Sequence, residues 1–356
     1  MKRLRILHIA PLNVAGVPFA MVDMQKKFGH EARLVTLHRN NYGFPEDLCL
    51  DLPLPRGIVA RVWRNKKIRD SRKAGGGPPN LKPRNVAERI YWALDDTFRK
   101  SAIRRAVRDY ELESFDVIHY DGGMDVFRDA RLAKEWKRRG KKIVCHYMGS
   151  DLRLRGVHPD MDRISDLNLT NETDHLLLHP DIHYLFIPFD PSPYTMRGSE
   201  NPILRIVHSP TNRAMKGTEH ILAVMDRICK VRNVEFVLAE DLSHAEVLRV
   251  KATCDIAIEQ VGNYGGTGYG RNSLETLAMG IPTVTDMTPE CIQQIPDHPF
   301  ILATPETLYQ KLLELIDDCN LRRSHARKGR AWLERHHSYA SVYRRLVSLY
   351  KDHGIV

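Results

Sequence analysis

The chain has 356 residues, 42% hydrophobic and 28% charged, with a formal charge of +10. That is too long for one ordinary core and has the make-up of a globular protein rather than a disordered or membrane-spanning one, so two domains of about 150 to 190 residues are expected. No stretch reaches the roughly 18 to 20 uninterrupted apolar residues of a membrane-spanning helix, so any membrane association is expected to be peripheral.

The first segment, RILHIAP at 5–11, follows a basic start, but His8, Pro11 and Asn13 interrupt the apolar run. It reads as a buried strand rather than a secretory signal. Further strands are expected at 31–38, 115–121, 142–149, 175–179 and 183–189. Between 86 and 109, Val86, Ile90, Leu94, Phe98, Ala102 and Ala106 recur every four residues, which predicts a helix with its basic residues outward. The segment 71–85 is rich in Gly, Pro and positive charge and reads as a loop. The proline-rich segment 188–202 reads as a linker. Strands then resume at 204–210, 234–240, 254–260 and 281–287, with spacing suited to βαβ crossovers. The resulting division is 1–190, 191–337 and a C-terminal helix, 338–356, returning to the first domain.

The charge is concentrated. From Arg56 to Arg108, sixteen Lys and Arg oppose four acidic residues, a local excess larger than that of the whole chain. Such a block implies an anionic membrane surface or an anionic acceptor nearby; nucleic acid ranks below these. The six cysteines are scattered without a CxxC pair, as expected of reduced thiols in a cytoplasmic protein, and against a zinc site. Asp160-Met161-Asp162 has an acid-x-acid spacing but lies between elements, so no metal site is expected.

The most informative stretch is EQVGNYGGTGYGRNSLETLAMGIPTV, 259–284. Five glycines, including Gly268 and Gly270 on either side of Tyr269, lead into a helix, so free N–H groups and a positive dipole end are offered to a diphosphate. It is not the GxGxxG dinucleotide fingerprint. Glu275, one turn into the helix, is placed to accept hydrogen bonds from ribose hydroxyls. In IVHSPTNRAMKGTEHIL, 206–222, a strand and turn deliver Arg213 and Lys216 at a helix start.

These two segments resemble the donor site of retaining GT-B glycosyltransferases of family four. The resemblance implies an α/β protein of two Rossmann-like doubly wound domains facing across a cleft. Glu275 with the following TLAMGIPTV matches the second half of the family's Glu-x7-Glu motif; Thr267 stands where the first Glu belongs. Lys216-Gly217 matches the basic turn that holds the diphosphate, with Arg213 as the second cation. Gly16, in the turn after the first strand, matches a loop that approaches the donor, and His146 matches a strand-end histidine facing the donor sugar. Glu290 matches an acidic residue near the sugar, without the glycines that precede it in the family. Asp151, Arg153 and Asp121 are expected on the acceptor side.

The implied activity is sugar transfer with retention from a UDP- or GDP-linked nucleotide sugar to a lipid-linked or polysaccharide-precursor acceptor. Neither a metal nor another cofactor is expected. Location at the inner face of a membrane is an option. The rival readings are a nucleotide-sugar 2-epimerase and an anionic-surface or nucleic-acid binding protein without transfer activity.

Overall fold

A computed structural model of the chain describes residues 3–53, 62, 80–81, 83, 85–262 and 268–356. The chain forms two compact units, Met1–Leu185 with Tyr343–Val356, and Phe186–Val342.

The first unit is built on seven parallel strands: β1 (Arg5–Ala10), β2 (Glu31–Thr36), β3 (Leu48–Cys49), β4 (Val117–Asp121), β5 (Lys142–Tyr147), β6 (Leu167–Thr170) and β7 (His183–Tyr184). Their order is β3-β2-β1-β4-β5-β6-β7, so the winding direction reverses between β1 and β4. Helices α1 (Val17–Lys27), α2 (Val86–Asp109), α3 (Arg131–Arg138), α4 (Pro159–Ile164) and α5 (His175–Leu178) accompany it. Strands covered on both faces need continuous apolar runs. Leu7, Ile9, Ile118, Tyr120, Ile143 and Cys145 accordingly form one core with Trp136 of α3.

The second unit has five parallel strands: β8 (Leu204–His208), β9 (Val234–Leu238), β10 (Ile256–Gln260), β11 (Thr283–Thr285) and β12 (Ile301–Leu302). Their order is β12-β11-β10-β8-β9, which puts the reversal between β8 and β10. Its helices are α6 (Arg213–Lys216), α7 (Thr218–Cys229), α8 (His244–Lys251), α9 (Arg271–Ala278), α10 (Pro289–Gln294), α11 (Leu308–Asp317) and α12 (Cys319–His336). Helix α13 (Tyr339–Asp352) follows. From Tyr343 onward it belongs to the first unit, where Tyr343 bonds His30 at 2.7 Å and stacks on Phe28.

Four expectations need correction. Residues 175–178 form a helical turn rather than a strand, because His175 is tied to the Thr170 hydroxyl at 2.8 Å and to the Gly149 carbonyl at 3.1 Å. The strand expected at 183–189 pairs over only two residues, and the short β3, β6 and β12 were not anticipated. Segment 188–202, read as a linker, is fastened within the second unit: Arg197 pairs with Asp255 at 2.9 Å and its N–H donates to the Met279 carbonyl.

The fourth correction concerns α2. The helix spans the expected residues, but Val86, Ile90, Leu94 and Phe98 are exposed while Ala106 is buried. A four-residue step overshoots a full helical turn by about 40°, so five steps carry the stripe about 200° around the axis. It cannot lie on one face. Glu88, Asp96, Arg99 and Ile103 face inward instead. Asp95 pairs with Arg99 at 2.6 Å and Arg128 at 3.4 Å, and Asp96 with Arg131 at 2.8 Å. The loop expected at 71–85 lies largely outside the described residues.

Candidate functional site

In open α/β sheets, ligands bind beyond the carboxyl ends of the strands where the winding reverses. In the second unit that point is the β8/β10 boundary, and most of the expected donor residues gather there. The turn after β8 carries Arg213 and Lys216. The Asn212 side chain caps this turn by accepting the Met215 N–H at 3.0 Å. Gly217 closes the turn at φ +65°, where a Cβ would stand 2.2 Å from the Val261 carbonyl oxygen. Only glycine tolerates both that conformation and that approach. The turn therefore packs onto the end of β10.

Both cations are held by carboxylates. Lys216 Nζ lies 2.5 Å from Glu259 Oε1, and Arg213 lies 2.8 Å from Glu219 and 2.7 Å from Glu240. Glu259 is buried at the end of β10, and its second oxygen accepts from Asn272 and Ser273, each at 2.7 Å. Burial would raise its pKa, but Lys216 and these donors keep it below its ordinary value. His208 fixes the end of β8, bonding the Ile258 carbonyl at 2.9 Å and the Thr218 hydroxyl at 2.8 Å.

Thr267 lies outside the described residues, as does most of the glycine-rich turn. Gly268 is described, at φ +131°, and packs so closely on Met287 that a Cβ would reach its Cγ at 2.3 Å. The Tyr269 ring packs among Phe300, Trp332 and His337. Gly270 stands at the N-cap of α9, and among the described residues no side chain caps that helix. The Ser273 N–H returns to the Gly270 carbonyl at 3.0 Å, so the positive end of the helix lies at this glycine-led turn.

Glu275 is buried on α9 amid three basic side chains: Lys251 Nζ at 2.6 Å, His244 Nε2 at 2.6 Å and Arg271 Nε at 3.4 Å. Burial alone would raise its pKa, yet Lys251 and His244 override this and bring it to about 2. Lys251 is itself buried, with a further hydrogen bond to the Asn272 carbonyl at 3.2 Å. Glu290 is exposed in the first turn of α10, apart from this network.

In the first unit the winding reverses between β1 and β4. Gly16 caps α1 just after β1, and Asp121 ends β4. Asp121 is buried, 2.9 Å from His8 Nδ1 and 3.5 Å from His146 Nδ1. Burial raises its pKa, but the two imidazoles outweigh that and hold it well below the usual carboxylate range. The His146 ring is wholly buried, so it reaches no surface. His8 and His119 stack with centroids 4.3 Å apart, and His119 also bonds the hydroxyl of Tyr350. Ligand atoms of His8, His119 and Asp121 lie within 4.8 Å of one another, a set that could hold a metal ion. The second nitrogen of His8 is occupied by Gln25 at 3.0 Å.

Beyond β5, Asp151 and Arg153 sit in a single π-helical turn, Asp151–Arg155. Arg153 is locked onto Glu172 and Asp174, and Asp151 pairs with Arg155 at 3.1 Å. Asp160 and Asp162, the acid-x-acid pair, bond Lys134 and His179 respectively.

Sequence reading missed Glu259, His244, Lys251 and His8. Glu259 carried a usable signal, a charge ending the apolar strand IAIEQ. Lys251 carried none, since a lysine closing the helix HAEVLRVK resembles any surface residue.

No protein-family model matches the chain, and no curated protein matches it. Solved structures do. HepE from Anabaena, in complex with UDP-glucose, is 10% identical over 98% of this chain and 100% of its own, with a TM-score of 0.59. A UDP-N-acetylglucosamine 2-epimerase is 12% identical over 100% of this chain and 98% of its own, with a TM-score of 0.55. The glycosyltransferase SnogD from Streptomyces nogalater is 16% identical over 98% of this chain and 100% of its own, with a TM-score of 0.51. Two parallel-sheet Rossmann-like units, matched nearly end to end by these structures, give this chain the GT-B fold.

Proposed function

We propose that the protein is a glycosyltransferase that takes a sugar from a UDP- or GDP-linked donor bound in its second unit. The observation that carries the reading is the pairing, at the β8/β10 reversal, of the Arg213–Lys216 turn with the glycine-led N-terminus of α9. Together they offer two fixed cations and a helix dipole to a diphosphate. HepE's complex with UDP-glucose in the same fold supports this choice of ligand.

In the proposed reaction an acceptor hydroxyl attacks the anomeric carbon and the bond from that carbon to the phosphate oxygen breaks. The departing diphosphate gathers charge, which Arg213 and Lys216 stabilise after exchanging carboxylate partners for phosphate. The acceptor proton passes to the leaving phosphate oxygen, with retention as the family resemblance implies. No metal is required in this scheme. Thr267, Gly268, Tyr269 and Gly270 form the donor loop, with Glu290 on the sugar side. Glu275 holds α9 in place through Lys251 and offers the ribose what hydrogen-bonding capacity its partners leave. Among first-unit residues, Gly16 is the donor-approach candidate and Asp151 and Arg153 the acceptor-side candidates, with the buried Asp121 and His146 as positioning residues. The acceptor is lipid-linked or a polysaccharide precursor, on the strength of the basic 56–108 block.

A 2-epimerase on this fold would need carboxylates free to move protons. Glu259 and Glu275 are both buried in ion pairs with depressed pKa values, which favours transfer. The test is a thermal-shift series with UDP, GDP, ADP and their sugar conjugates, without metal, followed by a donor-hydrolysis assay. Stabilisation by one nucleotide and release of its sugar are expected; no stabilisation at millimolar concentration would count against the proposal.

A further inference from the structure

The outer face of α2 changes character along its length. Val86, Ile90, Leu94 and Phe98 are 70%, 54%, 53% and 83% exposed. At about 100° per residue they occupy one sector of about 120° and run about 18 Å along the axis. Arg104, Arg105 and Arg108 continue the same sector over the last turns, all exposed. Arg89 and Lys100 flank it. Among the described residues, Arg89, Lys100, Arg104 and Arg105 have no ion-pair partner, whereas most other arginines of this unit are paired. The acidic residues Glu88 and Asp96 are turned inward and buried, and Asp95 is consumed by Arg99 and Arg128.

From this we infer that the outer face of α2 docks on an anionic lipid bilayer, its apolar turns entering the headgroup region and its C-terminal arginines meeting lipid phosphates. The inference extends the acceptor reading above by naming the partner. Water is a poor neighbour for four large apolar side chains aligned on one face, and a polyphosphate strand would engage only the arginines. A bilayer interface supplies both an apolar layer and negative charge within one helix diameter. No described helix is long and apolar enough to cross a membrane, so the association is with one face of the bilayer.

The experiment is co-sedimentation of the full chain with phosphatidylcholine vesicles, with and without phosphatidylglycerol, at low and high salt. Wild type is expected to sediment with the anionic vesicles and to retain part of that binding at high salt. The double variant Leu94→Ser/Phe98→Ser should bind about tenfold more weakly at either salt. Arg104→Glu/Arg105→Glu should lose the salt-sensitive part. All four side chains are exposed, so both variants should keep the wild-type circular dichroism and melting temperature. Absence of wild-type sedimentation overturns the inference. So does equal binding by Leu94→Ser/Phe98→Ser, or tighter binding to duplex DNA that this variant leaves unchanged. Nucleotide stabilisation of the same samples reports the second unit separately: vesicle binding lost with nucleotide binding kept removes this inference alone, and the converse removes only the donor reading.

Discussion

Replacing Glu275 by Gln tests the buried ion pair beneath the proposed donor helix. The carboxylate and Lys251 have side chains only 3% and 1% exposed, 2.6 Å apart. Removing one partner of such a pair leaves an uncompensated buried charge, typically a loss of about 3 to 5 kcal/mol. The carboxylate's own titration gives a second route: a fall from 4.5 to about 2 corresponds to about 3 kcal/mol, at about 1.4 kcal/mol per pH unit. The two figures agree in scale. Because the folded pKa lies below the unfolded one, this stability is present above about pH 4.5 and fades as pH falls toward 2. Urea denaturation at pH 7 should show the Gln variant less stable by about 3 kcal/mol, with the gap narrowing below pH 4. Lys251→Met/Glu275→Leu should recover much of the loss, since an apolar pair of similar volume leaves no buried charge. A loss under about 1 kcal/mol at pH 7, or a gap that does not change with pH, would refute the reasoning.

Arg213→Ala removes a half-buried, surface-paired cation, so the fold should survive while affinity for the diphosphate falls about ten- to a hundredfold, read by calorimetric titration with UDP or GDP. Gly217→Ala meets both a positive φ and the Val261 carbonyl oxygen, and should lower stability by about 1 to 3 kcal/mol in urea titration. His337 is buried, its Nδ1–H donates to the Ile187 carbonyl oxygen at 2.8 Å, and burial pushes its pKa down to about 3. Its folded pKa lies below the unfolded 6.5, so stability drops as pH falls from 6.5 toward 3, by about 2 kcal/mol at pH 5. His337→Asn should flatten that part of the stability–pH curve.

The sequence by itself determined most of the strands and the turns that carry the proposed donor residues of the second unit. Buried parallel strands need short, nearly continuous apolar runs bounded by turns, so β1, β2, β4, β5 and β8 to β11 were legible in their own residues. The turn holding Arg213 and Lys216, and the glycines before α9, were legible because backbone conformation there demands particular residue types. Two-residue edge strands such as β3 and β12 leave too few positions to establish a period, and the 175–178 turn was fixed by hydrogen bonds to Thr170 and Gly149 rather than by its own apolar run. Tertiary structure alone decided what the charged groups do. Glu275 meets Lys251 from 24 residues away, Lys216 meets Glu259 from 43, and His8 meets Asp121 from 113, distances over which periodicity carries no information. It also decided the face of α2: inward-facing Asp95 and Asp96 find arginines on the neighbouring segment, and that choice leaves the apolar turns outside.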